Sequence, residues 1–213
     1  MLKRVFLAAV ILSLVFAASM ASANNVTLKY DTVANSETPD CTFSVPSTPY
    51  YSGGVYAGNY VESYYPPGSQ ASPKTVSGNC FSPFDSNSSY TSYNLVPITP
   101  GTVYAACAWI MSEQSIQHWQ PAAAQVAIWQ LVFGSYFQVN DWDGVNSAQE
   151  ATIYADALNH YGYSARGFYL AESLSSPPCQ DYIVPVPVPP TLLLLGSGLV
   201  GLGGLRWRKG RAG

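Results

Sequence analysis

The chain reads as an α+β protein, on three observations. Its first half holds short apolar runs broken by Gly, Pro, Ser and Asn; its middle is dense in alanine and large apolar residues; a short extended run then precedes a proline-rich end. The expected architecture is one domain with an N-terminal β-rich part, sandwich- or barrel-like, and a helical insertion of about three helices. A Pro-rich stalk and a short C-terminal membrane segment follow.

The elements can be justified in order. Lys3 and Arg4 precede an apolar run from Val5 to Phe16 and the small residues Ala21-Ser22-Ala23, the pattern of a cleaved export signal over residues 1–23. The globular domain is expected over 24–172. Val26–Tyr30 alternates as a half-buried strand does, and Val55–Tyr65 is tyrosine-rich and strand-like. Thr102–Glu113 and Pro121–Phe133 carry helical patterns, the second with Pro121 at a first helical position and Gly134 just past its end. A third helix is expected from Ser147, with Ser147 and Glu150 as a capping box, to about His160. Gly167–Glu172 suits a closing strand, 173–190 a proline-rich stalk, and 191–213 an apolar segment with a basic end.

Charge excludes one class of partner. Without the two terminal signals only Lys29, Lys74 and Arg166 remain against twelve acidic residues, a net charge of −9. Such a surface repels nucleic acid. Tyrosine, tryptophan, valine and alanine are abundant enough to build a core, so the segment is not a disordered one. Cys41, Cys80, Cys107 and Cys179 all lie in the exported part, where disulfides are permitted. Their spacing suggests no metal or cofactor site.

The helix Pro121–Phe133 is apolar almost all round, which places it in the interior. Gln125 is the exception, because it shares a face with Ala122, Trp129 and Val132. A buried amide must find partners or cost about 1–3 kcal/mol. On spacing alone it reads as a core glutamine bonded to backbone. The segment Ala124-Gln125-Val126-Ala127-Ile128-Trp129 also resembles the TQxAIW motif of bacterial thioester domains, with alanine where the motif has threonine. That resemblance implies a cross-link from Gln125 to an upstream strand cysteine. Cys80, within Gly78-Asn79-Cys80-Phe81, is the best match, and Trp129 would shield the bond. The implied activity is single-use covalent attachment to an amine-bearing ligand, not turnover catalysis. If Cys80 is used this way, Cys41 and Cys179 could pair as a disulfide and Cys107 stay a buried thiol. Two disulfides without a thioester form the competing arrangement.

The C-terminus, VPVPPTLLLLGSGLVGLGGLRWRKGRAG, resembles the PEP-CTERM sorting tails of Gram-negative bacteria, closest to the VPLPA variant. Pro187-Val188-Pro189 stands at the motif. Thr191–Leu205 offers 15 residues before the first arginine, short of the roughly 20 of a stable span. The basic end stays cytoplasmic by the positive-inside rule. The resemblance implies an exosortase-like transpeptidase as partner, transient inner-membrane anchoring, and delivery to the cell surface or an exopolysaccharide matrix. The alternative to a covalent adhesin is a non-covalent structural or carbohydrate-binding matrix component. Weaker candidates are a Cys80 hydrolase using His118 or His160, a carboxylate pair among Glu62, Glu113, Asp141 and Asp143, and a calcium loop at Asn140–Gly144. Tyr50–Tyr65 could stack on sugar rings, although strand-filling aromatics need no ligand.

Overall fold

Six antiparallel strands close into a barrel: β1 (Asn25–Glu37), β4 (Ala57–Tyr65), β5 (Lys74–Cys80), β9 (Tyr182–Pro185), β8 (Phe168–Ser173) and β6 (Thr91–Pro97), with β6 pairing back onto β1. A second, three-stranded sheet runs β3 (Tyr51–Gly54), β2 (Asp40–Phe43), β7 (Phe137–Asp141). Three helices, α1 (Val103–Gln114), α2 (Pro121–Phe133) and α3 (Ser147–Ala157), enter between β6 and β8. The protein is thus a mixed α+β fold, a barrel with a helical insertion. These features come from a computed structural model that describes residues 25–46, 50–65, 73–81, 90–174 and 180–186. The export signal, the motif Pro187-Val188-Pro189, the apolar tail and Cys179 lie outside those residues. Among the described residues no helix is long and apolar enough to cross a membrane.

Period-two alternation builds the barrel interior. Tyr60, Glu62 and Tyr64 of β4 turn inward beside Val76 and Cys80 of β5, Tyr93 and Leu95 of β6, and Tyr182 and Val184 of β9. Register shifts after Tyr30 and after Ala34 bulge the thirteen-residue β1, and a bulge bends a strand as a closing barrel requires. The opposite faces of β8 and β9 contribute Leu170 and Ile183 to a second core, built with the helices and the small sheet. Gly78 sits where β5 and β9 meet closely: a Cβ there would stand 2.9 Å from the Ile183 carbonyl oxygen.

Helix α2 lies in the middle of that second core. Nine of its thirteen residues are buried, in keeping with an all-round apolar sequence. Its bounds are those expected, with Pro121 in the first turn and Gly134 closing it at φ +54° as its N–H donates to Gln130 O. Gln120, just before it, ties α2 to the start of α3. Its main-chain N–H donates to Gln149 Oε1 at 2.6 Å, and its Oε1 accepts from Asn146 N at 2.7 Å.

Two expectations need correction. The stretch 173–190 is not wholly a stalk, because Tyr182–Pro185 forms barrel strand β9 with Ile183 and Val184 fully buried. The prolines around it mask a strand of only four residues in the sequence. The capping box at Ser147 is also displaced by one residue. Asn146 is the N-cap, accepting from Gln149 N at 3.0 Å, and Glu150 turns into the core instead of reaching back. The helix ends at Ala157, short of His160.

Candidate functional site: Cys80, Asn79 and Gln125

The barrel's edge and the buried helix bring Cys80 and Gln125 together across 45 residues of sequence. Cys80 ends β5 and pairs with Tyr182 on one side. On its other side stands the side chain of Gln125 from α2. Gln125 Nε2 donates to Cys80 O at 2.8 Å, and Gln125 Oε1 accepts from Cys80 N at 3.1 Å. Asn79 Nδ2 donates to the same oxygen at 3.1 Å. Trp129, one turn further along α2, donates its Nε1–H to Cys80 O at 3.0 Å. Gln125, Cys80 and Trp129 are all fully buried, and Asn79 is 2% exposed.

Two N–H donors therefore converge on the carboxamide oxygen of Gln125. They polarise its carbonyl and stand where negative charge would develop if a nucleophile attacked its carbon. Trp129 is fixed by edge-on packing against Phe43, ring centroids 5.9 Å apart, and by Phe137 at 6.2 Å. The result is a dry wall on the helix side of the pair.

The Cys80 side chain packs with the barrel interior. There the Tyr60 hydroxyl donates to Tyr56 O at 2.9 Å and lies within reach of the Gln180 amide and the Cys80 thiol. Tyr182 donates to Gln180 Oε1 at 2.9 Å and its hydroxyl also faces Glu62, while Tyr93 donates to Gln180 O at 3.0 Å. Burial holds the Glu62 carboxyl up at about 8, so at neutral pH it is mostly the neutral acid. A neutral carboxyl fits its setting: it can donate to Tyr182, and its Oε1 has no hydrogen-bond partner.

No family model, curated protein or solved structure matches this chain.

The remaining sequence candidates fall elsewhere. Cys41, in β2, and Cys107, in α1, are buried thiols whose ionisation burial opposes, Cys41 pushed up to about 12 and Cys107 also raised. The proposed partner of Cys41, Cys179, lies outside the described residues. His160 stacks on Trp109 at 3.9 Å and His118 is exposed in the turn after α1. Glu62 is inside the barrel, apart from Asp141 and Asp143, which are exposed on and after β7, and Glu113 lies on α1. Among the described residues no group of His, Cys, Asp or Glu is placed to hold a metal ion. Tyr60 and Tyr64 fill the interior, Tyr65 packs against Tyr90 from the other face of β4, and Tyr50 and Tyr56 are exposed. Sequence reasoning missed Asn79 as the second donor on Gln125. Its position beside Cys80, on the opposite face of β5, was the available signal.

Proposed function

We propose that the chain is an exported surface or matrix protein whose Cys80 and Gln125 form an internal thioester for single-use covalent attachment to an amine. One observation carries the reading: the buried Gln125 carboxamide is held on Cys80 with two donors on its oxygen. The Cys80 sulfur adds to Cδ of Gln125, and the oxyanion forms opposite Asn79 Nδ2 and Cys80 N. Nε2 takes the thiol's proton and leaves as ammonia. An incoming amine then adds to Cδ of Gln125, the C–S bond breaks, and one of the amine's own protons passes to the Cys80 sulfur, leaving an amide at Gln125 and a free thiol. Trp129 keeps water from the bond in the interval. Export, the Pro187-Val188-Pro189 motif, and processing by an exosortase-like enzyme complete the proposal, resting on the terminal sequences.

The second reading is a non-covalent structural or carbohydrate-binding matrix component. Its support is that Gln125 is satisfied as a core amide should be, both polar atoms being bonded.

Intact mass decides between them. The secreted domain, beside a Cys80→Ala control, is weighed before and after methylamine. A loss of about 17 Da beyond any disulfide loss, with methylamine added to the wild type alone, is the expected result. An unshifted mass and no adduct would leave Gln125 as a core amide.

A further inference from the structure

A cavity of about 300 Å³ opens beside the site, and Asn79 belongs to both: it lines the cavity and donates to Gln125 Oε1. We propose that this cavity seats the incoming nucleophile and that it takes a sugar unit carrying a free amine, a 2-amino sugar, in preference to a lysine side chain. The inference rests on the thioester reading for the covalent step. The choice of ligand rests on the cavity itself.

The chemistry of the walls makes the choice. The polar lining consists of Asn59, Ser77, Asn79, Gln114 and Ser115, all amides and hydroxyls. Gln114 Nε2 donates to Asn59 Oδ1 at 2.9 Å, leaving Asn59 Nδ2 and Gln114 Oε1 as one donor and one acceptor for a ligand. Phe168 and Pro185, cross-strand partners on β8 and β9, supply an apolar side. Met111 lies on the same apolar side, and amides and hydroxyls beside an apolar wall match a sugar ring, which has hydroxyls at its rim and C–H groups on its faces.

Among the described residues no carboxylate lines the cavity. A lysine ammonium, with an ordinary pKa of about 10.4, would have to shed its water there without a counter-charge. It would also have to lose a proton before it could attack. The amine of an amino sugar is flanked by electron-withdrawing carbons and is less basic, so more of it arrives neutral.

The test uses the full secreted chain as Cys80→Ala, which cannot form the thioester, so binding is read apart from chemistry. Glucosamine, glucose, Nα-acetyl-lysine amide and butylamine are titrated, and binding is followed by NMR shift changes. Saturable binding of glucosamine, at least about tenfold tighter than the lysine analogue and lost in Ser115→Trp, supports the proposal. Ser115 is exposed, so that variant blocks the cavity without disturbing the core. A lysine analogue that binds as tightly as glucosamine, or no saturable ligand among the four, overturns it. In the wild-type chain, glucosamine should also add by mass at least about tenfold faster than the lysine analogue. If sugar binds to Cys80→Ala but the wild type shows no loss of ammonia, the thioester reading fails and the binding site stands.

Discussion

Gln125 pairs with Cys80 as a neighbouring strand would: its Nε2 donates to Cys80 O and its Oε1 accepts from Cys80 N. Beyond β5 the barrel offers Cys80 a partner strand on one side, β9. A side chain from the buried helix takes the other side. That substitution satisfies a buried main-chain segment and also fixes a carboxamide beside a cysteine.

Replacing Gln125 with leucine keeps the volume and removes both arms of that pairing. The Cys80 N–H and the Asn79 amide then lose their acceptor in a buried setting, whereas Cys80 O keeps Trp129. Gln125→Leu should lower unfolding free energy by about 1–3 kcal/mol, read by denaturant titration. A variant as stable as the wild type would mean that the pairing contributes nothing to the fold.

Much of this arrangement could be read in the sequence where local chemistry was decisive. Pro121 and Gly134 bracket α2 because each suits its backbone position wherever the helix lies. Gln125 stood out because one amide in an apolar helix must have a partner. Barrel closure could not be read this way. It depends on β1 pairing with both β4 and β6, and on β9 joining β5, where Cys80 pairs with Tyr182 from 102 positions further along the chain, pairings that no local pattern specifies. Glu62 was hidden for the same reason, since its alternation within β4 does not say which face becomes the inside of a barrel.

The cap of α3 distinguishes two neighbouring residues. Asn146 Oδ1 accepts from Gln149 N, while Ser147 lies exposed inside the first turn. Asn146→Ala should cost about 0.5–2 kcal/mol, and Ser147→Ala much less. Thermal unfolding of the two variants side by side checks this. Equal losses would return the cap to Ser147.

The barrel interior makes stability depend on pH through Glu62. Burial raises its folded-state pKa from 4.5 to about 8, so between those values the folded chain holds a proton that the unfolded chain has released. Stability therefore falls as pH rises through that window and levels off above it. Glu150, raised by burial to about 7 and also with an unpartnered Oε1, acts in the same direction and finishes earlier. Asp31 has its pKa lowered, chiefly by a hydrogen bond from Ser63, so its contribution is lost only in acid below the window. Thermal midpoints measured from about pH 5 to pH 9 should decline for the wild type. Glu62→Gln should keep the decline due to Glu150 but flatten the curve between about pH 7 and 8. If the variant and the wild type trace parallel curves through that interval, Glu62 is not the group that titrates there.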